Sequence, residues 1–388
     1  MIAIKRILGF LFLITVATAQ AETFQIGHIT YQTIGGDSVE IIKCSHKQAN
    51  NLDLSKPIEY NGKNYQLVSI GESAFEDCDN IFKITTPSTL KRIGHKAFYG
   101  CKVLYEITLK EGLESIAPEA FHFCSGLHTI SIPGTVKEIG DGAFWRTWSL
   151  KDIKVHPSNS EYIDNAGVLF TRTNSRIVAY PAGRNNPTYS LPSNTTCIGT
   201  GAFAHCKDLT SIYLPNGLTE IRRYAFEGCK NITTITIPKS VETIEDGVFM
   251  DCLKLRAITL PTKMQSIGDH AFDNCQSLGT ITVPHGVKRI GDYAFFDCIA
   301  MRSINLPKTL ENIGDFCFGN CFGMKAIYLT NTKPIKIGDE TFPEDLYNNA
   351  TLYVKYYAVD AFRHTEVWTN FKFIYSEPTS HRPYGLNY

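Results

Sequence analysis

The sequence predicts a repeat solenoid of the leucine-rich-repeat type, with one short strand in each coil of about 23 residues. Isoleucine recurs every 23 residues in two blocks, at positions 70, 93, 116 and 139 and then at 198, 221, 244, 267, 290 and 313, with a last copy at 337. Phenylalanine stands five residues after each of these eleven isoleucines, and cysteine follows three residues later in nine of the copies. Because one such coil cannot bury its own apolar face, we expect successive coils to stack on one another.

Each unit also predicts its own local structure. In Ile281-Thr282-Val283 the apolar residues alternate with Thr282, which is typical of a strand with Ile281 and Val283 facing inward. Pro284 then ends the strand, since proline has no N–H for a ladder. The glycine that follows eight of the eleven repeated isoleucines is interpreted as permitting a turn. The Ala-Phe-x-x-Cys motif predicts one helical turn packed against the next coil, so that the phenylalanines form a column in the core.

The twelve cysteines are predicted to be mostly free, buried thiols. An exported chain with many cysteines usually suggests disulfides. However, cysteines in register point the same way from coils that stack roughly 4.8 Å apart, whereas a disulfide needs facing Cβ atoms about 3.8 Å apart. Cys44 and Cys197 lie outside the cysteine column, and Cys317 lies close enough to Cys321 for a local pair. The redox state of these four stays open.

The start of the chain is typical of a signal peptide. Lys5 and Arg6 precede a short apolar stretch, and Ala19-Gln20-Ala21 offers small residues for cleavage after Ala21. The apolar stretch is shorter than the roughly 20 residues that a membrane span needs. The sequence therefore predicts an exported chain in the periplasm, at the cell surface or outside the cell.

Breaks in the repeat predict the remaining organisation. We expect a signal peptide at 1–21, an N-terminal β cap at 22–69, a first repeat block at 70–155, a hairpin insertion at 156–187, a second block at 188–345, a C-terminal cap at 346–375 and a disordered tail at 376–388. The insertion is interpreted as an excursion from one coil.

Charge and motifs argue against several function classes. Removal of Lys5 and Arg6 with the signal leaves 36 basic against 38 acidic residues, which does not indicate a nucleic-acid binder. The sequence contains no phosphate-binding loop, zinc-protease motif or nucleophile elbow. We therefore expect a chain without enzymatic activity, cofactor or metal, although a catalytic site assembled across distant coils stays open.

The repeats resemble those of BspA-type bacterial surface antigens. The similarity rests on Ile-Pro-Lys-Ser-Val-Glu-Thr-Ile at 237–244 followed by the Ala-Phe-x-x-Cys pattern, on Asn165-Ala166-Gly167-Val168-Leu169-Phe170, and on the two ends, Gly62-Lys63-Asn64-Tyr65 and Trp368 to Phe373. This resemblance covers nearly the whole chain after residue 21. It implies adhesion to host matrix proteins or other cells, but it carries no binding motif that maps onto single residues.

Two surfaces are candidates for ligand binding. The outward strand positions are mainly Ser and Thr, which is also what a soluble strand surface favours, and Tyr213 and Tyr328 depart from that composition. On the turns, exposed positions hold Trp145, Trp148, Phe296 and Phe322. These side chains either form an apolar patch for a protein or glycan, or pack between coils, with the insertion covering the tryptophans.

The leading expectation is thus recognition of an extracellular protein, or adhesion, by a monomer without a membrane span. A glycan- or nutrient-capturing module is the alternative, and a hydrolase with an unrecognised site is the third possibility.

Overall fold

The structure, a computed structural model, describes residues 21–45 and 51–377. The predicted signal peptide, apart from Ala21, and the predicted tail after Glu377 lie outside these residues. Within the described ranges, no helix is long and apolar enough to cross a membrane.

The chain begins with a small mixed sheet that leads into the stack. Its strands are β1 (Thr23–Ile26), β2 (Ile29–Gly35), β3 (Ser38–Cys44), β5 (Ile58–Tyr60) and β6 (Lys63–Ile70), whereas β4 (Asn51–Asp53) begins the sheet of longer strands described below. Strands β1, β2 and β3 are antiparallel neighbours, and β3 then pairs in parallel with β6. Since β6 ends on the repeated isoleucine Ile70, the cap continues directly into the repeats.

Each repeat contributes the predicted strand and, in addition, a strand of two residues that ends on the repeated isoleucine. In the first block these are β7 (Lys83–Thr85), β8 (Arg92–Ile93), β9 (Glu106–Thr108), β10 (Ser115–Ile116), β11 (Thr129–Ile132), β12 (Glu138–Ile139) and β13 (Asp152–Val155). Each longer strand pairs in parallel with the longer strand of the next coil, so that residues one repeat apart lie opposite each other. The two-residue strands pair in the same way. We call the outward side of the longer strands the strand face, and the side formed by the Ala-Phe-x-x-Cys segments the turn face.

The insertion is packed within the stack. It forms β14 (Tyr162–Asn165), β15 (Val168–Thr171) and β16 (Arg176–Ala179), and β15 pairs antiparallel with both β14 and β16. Leu169 is buried in the core of the N-terminal half, whereas Val168 and Phe170 are buried in the core of the C-terminal half. All three side chains are apolar, so both faces of β15 favour burial between the two halves.

The end of the insertion also substitutes for a coil. Ile177 pairs with Ile198 and so occupies a place in the isoleucine column. Tyr180 donates its backbone N–H to the Ala202 carbonyl, and its ring stacks on Phe203 at 5.1 Å. Tyr180 therefore takes the position that phenylalanine holds elsewhere.

The second block repeats the two-strand coil. Its strands are β17 (Thr188–Ser190), β18 (Cys197–Ile198), β19 (Ser211–Tyr213), β20 (Glu220–Ile221), β21 (Thr234–Thr236), β22 (Thr243–Ile244), β23 (Ala257–Thr259), β24 (Ser266–Ile267), β25 (Thr280–Thr282), β26 (Arg289–Ile290), β27 (Ser303–Leu306), β28 (Asn312–Ile313), β29 (Ala326–Leu329) and β30 (Lys336–Ile337).

Two further strands and two short helices close the stack. They are α1 (Glu344–Asn349), β31 (Thr351–Val354), α2 (Val359–Arg363) and β32 (Phe373–Ser376), with 3-10 turns at Tyr356–Ala358 and Trp368–Asn370. Strands β31 and β32 extend the parallel sheet of β29. Trp368 is buried and donates its indole N–H to the Ile335 carbonyl, so it seals the last coil.

The phenylalanine column forms the centre of the core. Neighbouring rings within each block lie 5.1 to 5.7 Å apart between centroids, with planes within 15° of parallel. Ten of the eleven phenylalanines are completely or almost completely buried, and Phe144, beside the insertion, is 6 % exposed. Each ring that is removed from water contributes several kcal/mol, on the order of 25 cal/mol per Å2, before the entropy cost.

All twelve cysteines are free and buried, including Cys317 and Cys321. The column cysteines do more than fill space, because the Cys101 thiol donates a hydrogen bond to the Phe75 carbonyl of the preceding coil at 3.0 Å. The same bond recurs in seven copies between Cys101 and Cys321, with sulfur–oxygen distances of 3.0 to 3.3 Å.

Where glycine follows the repeated isoleucine, as at Gly291, it accommodates close packing and does not form a turn with a left-handed backbone. Gly291 does not have a left-handed backbone, but a Cβ atom there would lie 2.5 Å from the backbone nitrogen of Asp269 in the preceding coil. The Asp269 carboxylate in turn accepts the N–H of Asp292 at 3.0 Å. This bond recurs from Asp246 to Asp339, so the Ile-Gly-Asp sequence builds a ladder of aspartates down the second block.

Candidate functional site

Trp145 lies at the junction of the two blocks and is held between neighbouring coils. Its ring stacks on His122 at 4.4 Å on one side and on Tyr224 at 4.7 Å on the other. A Cβ atom at Gly201 would lie 2.7 Å from the indole, so a larger residue there would displace the ring. These contacts come from adjoining coils and not from the insertion, and they leave Trp145 half-buried.

A fully buried carboxylate fixes the same junction. The Trp145 indole N–H donates to Glu227 Oε2 at 2.7 Å, and the Arg146 guanidinium forms a salt bridge with the other oxygen of Glu227. His205 Nε2 lies 3.8 Å from that carboxylate. Burial lowers the pKa values of both His205 and His122, which favours their neutral forms. The arrangement is that of a structural clamp across the two blocks.

Trp148 remains partly accessible beside this clamp. It is 42 % exposed and contacts Phe123 at 5.2 Å and His205 at 5.3 Å. Trp148 is therefore the tryptophan with surface left for a ligand.

The two candidate phenylalanines on the turn face differ in exposure. Phe296 is half-buried, because its ring covers Gly319 of the next coil and contacts Tyr293 at 5.4 Å. Phe322 is 60 % exposed and occupies the same column as Ile299, which is 44 % exposed. Phe322 and Ile299 are thus consecutive exposed apolar residues of this column.

The two candidate tyrosines on the strand face also have different surroundings. Tyr213 is 64 % exposed and pairs in register with Ser190. Tyr328 is half-buried and stacks on Tyr353 with ring centroids 4.9 Å apart and planes 10° from parallel. Tyr328 belongs to a larger aromatic surface, whereas Tyr213 stands apart from it.

That larger surface, the tyrosine patch, closes the C-terminal end of the strand face. Tyr353 pairs in register with Tyr375, so the outward column continues from Tyr328 through both cap strands. Tyr375 is 52 % exposed, and Tyr356 and Tyr357, directly after β31, are 79 % and 58 % exposed. The patch consists of Tyr328, Tyr353, Tyr356, Tyr357 and Tyr375.

Four of these five tyrosines were missed from the sequence because they lie beyond the 23-residue register. The signal was nevertheless present, since Thr351 to Val354 and Phe373 to Ser376 repeat the alternation of the longer strands, with tyrosine at the outward position. Counting by strand pattern instead of by period would have found Tyr353 and Tyr375.

A second aromatic ladder was also missed, at the edge of the strand face in the first block. Phe82 stacks on Tyr105 at 5.1 Å, and Tyr105 stacks on His128 at 5.2 Å. Phe82 and Tyr105 are 50 % and 42 % exposed. Because these rings stack on one another, they present mainly their edges to solvent.

Groups suited to metal chemistry do not converge in the described parts of the chain. Between residues 21 and 377, leaving out 46–50, no three His, Cys, Asp or Glu side chains are placed to hold a metal ion. The surfaces that stand out are aromatic and are suited to contacts with another macromolecule.

Comparisons with known proteins agree with this architecture. A family model described as BspA type leucine rich repeat region matches residues 56–172, 182–299 and 265–377. The chain is similar in fold to a leucine-rich repeat protein from Eubacterium ventriosum, with 21 % identity, a TM-score of 0.60, and 79 % of this chain and 90 % of that chain covered. It is also similar to the pneumococcal vaccine antigen PcpA, with 18 % identity, a TM-score of 0.57, and coverage of 92 % and 99 %. No curated protein matches the chain.

Proposed function

Because this chain belongs to the BspA-type leucine-rich repeat family, we propose that it is an exported protein that recognises another extracellular protein at the cell surface. Proteins of this family generally bind other proteins at surfaces, and they are not generally enzymes. Recognition, or adhesion, by a non-catalytic scaffold is consistent with that background and with a repeat solenoid, whose stacked coils offer an extended exterior.

The tyrosine patch is the observation that carries the proposal. Tyr356 is 79 % exposed, and Tyr375 and Tyr357 are each more than half exposed. Tyrosine is enriched at the centres of protein interfaces, because its ring buries apolar area while its hydroxyl forms a hydrogen bond. Three such residues on one end of a rigid sheet, with Tyr356 and Tyr357 directly after β31, favour a binding site that needs little reorganisation.

The other candidate residues contribute less to this proposal. Trp145 and Phe296 are half-buried by neighbouring coils, so we assign them a structural role. Trp148 and Phe322 are accessible, and we propose them as secondary contacts, whereas Tyr213 is accessible but stands apart from the tyrosine patch and serves as the control.

Binding to a panel of purified extracellular-matrix proteins tests the proposal. The chain would be immobilised and compared with a Tyr356→Ser, Tyr375→Ser double variant and with Tyr213→Ser as the matched control on the same face. We expect at least one matrix protein to bind, with a loss of about 10-fold or more in the double variant, the effect of one or two hot-spot residues. If the unmodified chain, the double variant and the control bind equally, with unchanged melting temperatures, the binding site lies elsewhere.

Two parallel measurements address the alternatives. A glycan array with the same variants tests the capturing module, and turnover of ester, peptide and glycoside substrates tests the hydrolase. Binding to glycans alone, or turnover of any substrate, would contradict the proposal.

A further inference from the structure

The strand face of the C-terminal coils is almost free of acidic side chains. The segments that carry it are 231–240, 254–263, 277–286, 300–309, 323–333, 349–357 and 370–377. Together they contain one acidic residue, Glu377, and ten basic ones: Lys239, Lys254, Arg256, Lys263, Arg302, Lys308, Lys325, Lys333, Lys355 and Lys372. We call this surface the cationic lane.

This imbalance is local to the second block. The corresponding segments of the first block, 80–89, 103–112, 126–135 and 149–158 with 51–57 from the cap, contain five basic and four acidic residues. There Lys83 forms a salt bridge with Glu106 at 2.8 Å, and Lys154 lies 3.8 Å from Asp152. The excess of positive charge is therefore not a general property of the repeat.

The cations of the lane are available to a partner. Among the described residues, Lys355 is the only one of the ten with a carboxylate within 4.0 Å, namely Glu377 at 2.5 Å. All of the others are exposed. The aspartate ladder lies on the other strand of each coil, beside β22 to β30, so it does not neutralise them.

The lane has two basic edges and a polar floor. Arg256, Arg302, Lys325 and Lys372 directly precede their strands, whereas Lys239, Lys263, Lys308 and Lys355 follow theirs. Between the edges, the outward strand positions are hydroxyls, one amide and finally the tyrosine patch: Thr236, Thr259, Thr282, Asn305, Tyr328, Tyr353 and Tyr375. Seven strands at roughly 4.8 Å per step give a length of about 29 Å, which matches about nine residues of extended polypeptide.

We infer that the cationic lane binds an extended, acidic polypeptide segment of the partner, an inference that rests on the proposed protein-recognition function. Carboxylates of the segment would lie between the two rows of Lys and Arg, and the hydroxyls and Asn305 would bond its backbone and side chains. A sugar polymer fits less well, since binding through stacking requires an open aromatic face. The Tyr328 and Tyr353 rings instead cover each other at 4.9 Å.

A peptide titration tests this inference. The probe is a fluorescein-labelled nine-residue peptide of alternating Glu and Ser, compared with its Lys-Ser counterpart and with a sulfated hexasaccharide. The full chain, the Arg302→Glu, Lys325→Glu double variant and the Lys151→Glu control are titrated in 50 and 300 mM NaCl. Lys151 occupies the same repeat position as Lys325, but in the first block, and it is also exposed.

We expect the Glu-Ser peptide to bind, with an affinity that falls by about 5-fold or more at the higher salt, because the distance over which exposed charges interact shortens from roughly 14 Å to roughly 6 Å. The double reversal should weaken binding by about 10-fold or more and the control by less than about 2-fold. Circular dichroism and melting of each variant show whether the fold is intact. Unchanged binding by a folded double variant, or equal binding of the Lys-Ser peptide, would overturn the inference, and so would tighter binding of the saccharide through the same residues.

The two proposals fail separately. A matrix protein whose binding needs the tyrosine patch but ignores the charge reversals supports the proposed function and contradicts the acidic segment. Peptide binding in the lane without any bound matrix protein supports the lane and contradicts the proposed function.

Discussion

The Trp145 indole N–H donates to Glu227 Oε2 at 2.7 Å across 82 residues of sequence. The bond joins the last coil of the first block to the second block, past the insertion. Because Glu227 is completely buried, its charge depends on Trp145 and Arg146 for compensation.

Loss of this clamp should destabilise the fold. Trp145→Ala removes two ring contacts and one partner of a buried carboxylate, so we expect the free energy of unfolding to fall by about 2–4 kcal/mol. Urea unfolding followed by circular dichroism measures the change, with Trp148→Ala as the more exposed control, for which we expect about 1 kcal/mol or less. A stable Trp145→Ala protein that loses a ligand would instead indicate recognition by this side chain.

Acid should weaken the same junction. Burial lowers the pKa values of His122 and His205 in the folded chain, so the unfolded chain binds protons more readily. The stabilising contribution is complete above the unfolded value of about 6.5 and is lost as pH falls through the lower folded values. Unfolding free energies at pH 7, 6 and 5 should therefore fall more steeply for the natural chain than for the His122→Gln, His205→Gln variant. Equal slopes would show that these histidines do not cause the pH dependence.

The glycine of the Ile-Gly-Asp sequence should tolerate no side chain. Gly291→Ala places a methyl group 2.5 Å from the Asp269 backbone nitrogen, which we expect to cost about 1–3 kcal/mol. Gly279→Ala is the matched control, because nothing lies within 4 Å of its Cβ position and its backbone is not left-handed. A similar melting temperature for both variants would mean that the coils separate easily at this column.

The thiols should be unreactive towards alkylating reagents in the folded chain and reactive once it unfolds. Burial raises the pKa of Cys197 to about 11 and that of Cys321 to about 12, so little thiolate exists near neutral pH. We expect slow alkylation of the native protein, and more than half of the twelve sulfurs free after denaturation without reductant. A count below half would show that disulfides form in the stack.

The columns of the solenoid could be predicted because each one repeats a single chemical requirement. Phe249 must fill the core, and the alternation of Ile281 and Thr282 must match the pleat of a strand. The positions of Tyr180 and Tyr353 could not be predicted from the period, because both lie outside it and are placed by tertiary contacts. The repeated glycine was recognised in the sequence, but the interpretation that it permits a turn was wrong. At Gly291 the lack of a side chain allows close approach to Asp269 in another coil, which no local pattern reveals.

Exposure was the least predictable property of the candidate residues. Trp145 and Trp148 occupy equivalent polar columns in the sequence, yet the first is clamped by Glu227 while the second is 42 % exposed. Which of two neighbouring side chains is covered depends on residues some 80 positions away, so only the assembled stack decides it.

The position of strand β15 between the two halves affects how the chain unfolds. Its Leu169 side belongs to one core and its Val168 and Phe170 side to another, so the chain has two hydrophobic cores that meet at this strand. Cooperativity in a solenoid passes from coil to coil, and here it passes through this strand, the Glu227 clamp and the salt bridges of Asp141 with Arg176 and Arg222. Calorimetry should accordingly resolve two unfolding transitions. Their midpoint temperatures should move closer together when the contacts between the two halves at β15 are strengthened.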